Sequence, residues 1–146
     1  MAFTKEYAAT VTLNKKDVLD MMKAQRVIYN SGISKPDKAQ LIADLANVTG
    51  ILATIFLVST PGGLAGALAQ ALLASTPSEK QTLDLMVKEG HFKMGDLADW
   101  FDDNSGFDII EVKLPFIEYE TQRIRFVTGR GAIQRVHKKG GPWMPY

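Results

Sequence analysis

The chain contains no cysteine, which excludes disulfides, thiolate metal sites, iron–sulfur clusters and cysteine nucleophiles together. It has only two histidines, His91 and His137, too few to build a zinc site from imidazoles. The opening residues, Phe3-Thr4-Lys5-Glu6, lack the apolar core of a signal peptide, and an acid comes early. The expectation is a cytoplasmic protein or a component of an assembly. No Gly-x-Ser-x-Gly elbow, Walker loop, His-Glu-x-x-His helix or Rossmann fingerprint occurs. Gly129-Arg130-Gly131 has the composition of a turn rather than of a phosphate cradle. Nothing in the chain asks for a small-molecule cofactor, and the balance favours a binding or assembly protein over an enzyme.

Charge is also missing, but only locally. Residues 45–78 carry none at all, whereas residues 79–120 hold eleven acids against four bases and residues 121–146 hold six bases and no acid. A chain this segregated must bring its acidic and basic stretches together or present them to separate partners. The rest of the composition is ordinary: 146 residues, 46% hydrophobic and 23% charged, the size and balance of one globular domain spanning residues 1–146.

Periodicity predicts helices through most of the chain and strands mainly at its end. Residues 7–13 are β-branched enough for a short strand. Asn14, with Asp17 three residues on, caps a helix whose stripe is Val18, Met21, Met22, Gln25, Ile28 and Tyr29, closed by Gly32. Ser34 and Asp37 suggest a second capping box, with Pro36 in the first turn. The uncharged segment then reads as two apolar helices of about fifteen residues each. They are joined at Thr60-Pro61-Gly62-Gly63, with Thr60 as cap and Pro61 at the first helical position. Thr76 and Glu79 form the best capping box in the chain, opening a helix expected to stop at Gly90, before a short acidic helix over 95–103. Beyond residue 106 the period becomes two. Ile110, Val112, Leu114 and Phe116 alternate with polar residues, and so do Ile124 and Phe126. Thr128–Gly131 is expected to turn a hairpin into a strand over 132–137, and the Gly- and Pro-rich tail to extend no further. The fold class expected is α+β: helices with a central apolar hairpin, then a C-terminal antiparallel hairpin or small sheet.

Three constellations carry functional expectations. The uncharged hairpin is either core, a protein or homo-oligomer interface, or a membrane-inserting unit as in pore-forming proteins. Leu52, Ile55, Phe56, Gly66 and Leu68 are its contact candidates, and Pro61, Gly62 and Gly63 its tip. Each arm falls short of the ~20 apolar residues a span needs, and no aromatic belt or basic cluster flanks it. The basic C-terminus offers Arg130, Arg135, Lys138 and Lys139 with Trp143 as an anion or nucleic-acid surface. His137, alone or with His91, is its candidate general base for RNA cleavage. Arg123 and Arg125 are expected instead to pair with Glu111, Glu118 and Glu120 across strands, with Arg135, Lys138 and Lys139 beyond the acids' reach. Finally, Asp102, Asn104 and Asp108 around Gly106 have the donor type for Ca²⁺ or Mg²⁺, though their spacing does not fit an EF-hand loop.

Overall fold

The computed structural model describes residues 2–146 and shows an α+β fold. Its backbone is β1 (Thr4–Asn14), α1 (Lys15–Val27), a π-helical segment (Ile28–Ser34), α2 (Lys38–Leu45), a 3₁₀ turn (Ala46–Val48), α3 (Thr49–Phe56), α4 (Pro61–Leu73), α5 (Pro77–Asp103), β2 (Phe107–Tyr119), β3 (Ile124–Val127), β4 (Ala132–Lys138) and β5 (Trp143–Pro145). The N-terminal strand joins the C-terminal ones in a single antiparallel sheet ordered β1-β2-β4-β5, with β3 also on β2. All thirteen residues of β2 are inside this sheet, flanked by β1 along nearly its whole length.

Local chemistry explains most helix starts. The Asn14 side chain accepts from the Asp17 amide at 2.7 Å while Asp17 accepts from the Asn14 amide at 3.0 Å. Thr60 caps α4 through the Gly63 amide with Pro61 in its first turn, and Thr76 and Glu79 close the reciprocal box at the head of α5. At α2 the cap is Asp37 itself, bonded to the Gln40 amide at 3.0 Å, so Pro36 lies outside the helix rather than in its first turn. Proline holds its predecessor extended, and the helix begins only beyond it.

Five further expectations change. Gly32 does not end α1; the backbone widens into π turns through Ser34 instead. A Cβ at Gly32 would stand 2.6 Å from Leu68 Cδ2, so this glycine is kept for close packing of α4. The first apolar arm is broken into α2, the 3₁₀ turn and α3, the last ending on Leu57 in the left-handed conformation. Gly90 does not stop a helix either: α5 runs unbroken over 27 residues. A Cβ at position 90 would lie 1.9 Å from the Val127 carbonyl oxygen, so glycine lets α5 cross the outer edge of β3. Thr128–Gly131 is not a hairpin turn. β3 lies against residues 116–119 of β2 and β4 against residues 107–113 of the same strand, so residues 128–131 bridge two stretches of one edge. Pro115 sits opposite that bridge and accepts from the Thr128 amide at 3.0 Å, so its missing N–H falls where the ladder is already interrupted. The tail, too, is structured: Gly140 at φ +68° turns it back so that β5 pairs with β4.

The core gathers the α1 stripe, both apolar arms, the inner side of α5 and the inner residues of β2 and β3. Two buried polar side chains lock it. Gln25, fully buried, accepts from the Val127 amide at 2.7 Å and donates to the Val127 and Val87 carbonyls at 2.9 and 3.0 Å. It thus stands in for a neighbouring strand at the outer edge of β3. Arg125 donates through Nε to the Ile55 carbonyl at 2.8 Å and through Nη2 to the Thr54 carbonyl at 2.9 Å, a cation on the C-terminal carbonyls of α3. Its Nη1 reaches the Tyr7 hydroxyl at 3.1 Å, and that hydroxyl donates to Glu118 at 2.5 Å. Burial and the neighbouring carboxylate push the Tyr7 phenol above its ordinary value. The expected cross-strand Arg125–Glu118 contact therefore runs through Tyr7, because the carbonyls of α3 claim the rest of the guanidinium. Arg123 lies exposed in the β2–β3 turn at φ 55°, with no ion pair among the described residues.

Candidate functional site

The outer side of the uncharged segment forms a groove. Its walls are the π-helical segment, the start of α2, the length of α4 and the first turn of α5. The floor is Gly32, Leu41, Ala65 and Leu68, all buried, and the lip is Ala69 and Leu73, with Leu73 86% exposed. The volume is about 340 Å³, within the range of ligand-sized sites, and the lining is overwhelmingly apolar. Its shape follows from the sequence: Gly32 lets α4 approach the π segment, while the small side chains of Ala65 and Ala69 leave the surface concave. Backbone groups at the π terminus are already used, Ser31 O accepting from the Asp37 amide at 2.7 Å and Asn30 O from the Lys35 amide at 3.3 Å. Lys38 and Lys80 stand on the rim, both exposed, and neither forms an ion pair among the described residues. Asp37, the third rim charge, is occupied by the α2 amide it caps.

The hairpin candidates divide. Leu52, Ile55 and Phe56 are fully buried in the core and line no part of the groove, whereas Leu68, 1% exposed, is core that also forms part of the groove floor. Pro61 is half-buried, while Gly62 and Gly63 are exposed at the helix start. Gly66 is half-buried with open space where a Cβ would point, so no helix packs against it. Residues Lys38–Phe56 are long and apolar enough to cross a membrane by length and composition alone. That stretch is bent at the 3₁₀ turn, and its leucines at 41, 45 and 52 are packed inside. Ala69, four residues from Ala65 on a small-residue face, is exposed rather than packed against another helix, and the outward Leu73 carries no sequence signal, because on a helix apolar all round no period marks the open side.

Compared with protein-family models, curated proteins and solved structures, the chain matches none.

The basic constellation is mostly neutralised from within. Arg135 pairs with Glu111 at 2.7 Å and lies over the Trp143 ring, and Arg130 pairs with Asp96 at 3.0 Å. The placing of Arg135 beyond the acidic strand's reach is thus corrected. Because β4 pairs with β2 rather than with β3, position 135 lands directly opposite position 111. Lys138 and Lys139 stay exposed without an ion pair among the described residues. His137 Nδ1 contacts Asp108 at 2.6 Å beside Trp143, and its hydrogen bond holds the Asp108 carboxyl below the ordinary aspartate value. His91 is elsewhere, its Nδ1 2.7 Å from the Met22 carbonyl between α1 and α5. The two histidines share no partner, so they are not brought together as an acid–base pair. The metal-donor candidates are each engaged with another partner: Asp102 and Asp108 line one cleft, but Asp102 pairs with Lys15 and Asp108 with His137, and Asn104 donates to the Trp100 carbonyl at 2.8 Å. Among the described residues no three acids or histidines form a metal-holding group.

Proposed function

We propose that this protein is a non-enzymatic interaction module that docks a protein partner through the groove between the π segment, α2 and α4. The observation that carries this is the groove itself: a preformed, overwhelmingly apolar concavity whose α4 wall belongs to the uncharged segment. The segment serves two purposes. Its inner side chains build the core, and its outer side leaves apolar surface that nothing else among the described residues covers. Interfaces draw their energy from buried apolar pockets that receive an anchor from the other side.

A photo-reactive benzoylphenylalanine at position 69 tests this in the native cell. It is expected to crosslink one discrete protein species whose binding is then reproduced with purified components and lost in Ala69→Arg. The same probe at the exposed Thr10 of β1 should give no such product. Binding of the purified partner that is indifferent to Ala69→Arg would refute the groove as the docking site.

A further inference from the structure

We infer that the occupant of the groove is an amphipathic α-helix of the partner, carrying apolar anchors on one face and carboxylates beside them. This rests on the docking function proposed above and adds the chemistry of the partner. Two observations lead to it.

The first is that the groove has almost nothing for a backbone to bond to. Its floor is aliphatic, and apart from the first amides of α2 the helical segments lining it bond their amides and carbonyls internally or to one another. No strand edge borders it: apart from Pro36 and Asp37 in the link before α2 the lining elements are helical, and the sheet contributes no residue. An extended peptide lying there would bury its own N–H and C=O groups without partners, at a cost of about 1–3 kcal/mol each. A helix arrives with those bonds already made and presents side chains at i, i+3 or i+4, and i+7. The second observation is the rim. Among the described residues Lys38 and Lys80 flank the apolar floor with no carboxylate paired to them, whereas the rim's single acid, Asp37, is committed to the Gln40 amide. The uncompensated charge around the groove is positive. A helix with Glu or Asp next to its apolar stripe meets it, and one with Lys or Arg is repelled.

The test uses the full chain and two synthetic amidated peptides of about 16 residues with leucine at i, i+4 and i+7. One bears Glu beside the stripe and the other Lys; binding is read by fluorescence anisotropy and helix content by circular dichroism. The Glu peptide is expected to bind, to gain helicity on binding, and to bind at least about tenfold more tightly than the Lys peptide, as two rim ion pairs would give. Lys38→Glu with Lys80→Glu should reverse that order, and Ala69→Arg should abolish binding of both peptides. All three positions are exposed, so unchanged thermal unfolding of the variants separates loss of contact from loss of fold.

Equal binding of the two peptides, still blocked by Ala69→Arg, would overturn the acidic helix and leave the docking groove standing. Binding without gain of helicity would do the same. Failure of both peptides, with sodium oleate bound and displaced by Ala69→Arg, would overturn both statements in favour of an anionic lipid. A sedimenting dimer abolished by Ala69→Arg would name a second copy of the chain as the occupant and overturn the acidic helix. Failure of every probe would overturn both.

Discussion

Residues 45–78 and residues 121–146 are opposites in charge, and the fold treats them oppositely. The uncharged segment has no charged side chain with which to recruit distant partners, so apolar packing is what chiefly places it. Leu45, Leu52, Ile55, Phe56, Leu64 and Leu68 fill the core, and what does not fit inside is left as apolar groove. The basic segment is placed by complementarity. Arg125 finds the carbonyls of α3, Arg130 finds Asp96 and Arg135 finds Glu111. A segment with no charge to satisfy leaves sticky surface behind, whereas a strongly charged one pairs Arg130 and Arg135 with the acidic stretch and leaves Arg123, Lys138 and Lys139 without an ion pair among the described residues. The conspicuous basic tail is accordingly the weaker functional signal.

The comparison breaks hardest if charge is placed where apolar packing operates. Leu68→Asp would put an unpaired carboxylate at a position 1% exposed beside Gly32, a cost of several kcal/mol that should abolish cooperative unfolding. Retention of a normal melting transition by calorimetry would mean α4 can leave the core. Gln25→Leu keeps the volume and removes both bonds to Val127, stranding a buried amide and carbonyl at the β3 edge. A loss of roughly 2–4 kcal/mol in chemical denaturation is expected, with Val127 amide exchange accelerated. Gly90→Ala tests the same crossing from α5. The helix-propensity gain of about 1 kcal/mol should be outweighed by the clash with the Val127 carbonyl, giving a net loss of about 1–3 kcal/mol. An unchanged or raised midpoint would show that α5 can slide on the sheet.

These sites also mark where sequence stopped being informative. The caps at Asn14, Thr60 and Thr76 are legible because their bonds close within three residues. Gly90 was misread as a helix stop because its reason, the Val127 carbonyl, is 37 positions away in the chain and invisible to any local rule. Gly129 and Gly131 look like hairpin turn residues whether the flanking strands pair with each other or, as here, both with β2. In the site, the apolar segment was legible as a surface of interest. Which of its residues point outward was not, because the π segment and the 3₁₀ turn reset the helical phase on either side of α2. The pairing of Arg135 with Glu111 needed the strand order, which depends on how β4 returns along β2.

A smaller effect is expected at the α5 cap. Thr76→Ala removes the oxygen that accepts from the Glu79 amide and should cost about 1 kcal/mol. The Glu79 carboxyl, held below the ordinary glutamate value first by the Thr76 amide and then by its hydroxyl, should rise only part of the way, because alanine keeps the amide. An unaltered denaturation midpoint would mean that packing of α5 alone fixes its start.

The smallest effect should come from the basic segment, and its pH dependence tells whether Arg135 is committed to the fold. Arg135 Nη2 lies 2.7 Å from Glu111, and this hydrogen bond, more than the charge itself, holds the Glu111 carboxyl below its ordinary value. A carboxyl with a depressed folded-state pKa stabilises the fold above the unfolded glutamate value of about 4.3, and that contribution disappears as the pH falls through the folded value. Arg135→Gln should therefore leave a slightly lower midpoint at neutral pH, a difference that closes on acidification, and a Glu111 carboxyl that titrates higher by NMR. High salt should shrink the same difference, since both side chains are partly open to solvent. If Glu111 instead titrates identically in both proteins, the pair does not persist in solution. Arg135 would then rejoin Lys138 and Lys139 as a free cation beside Trp143, and the basic strand would regain its claim to an external anion.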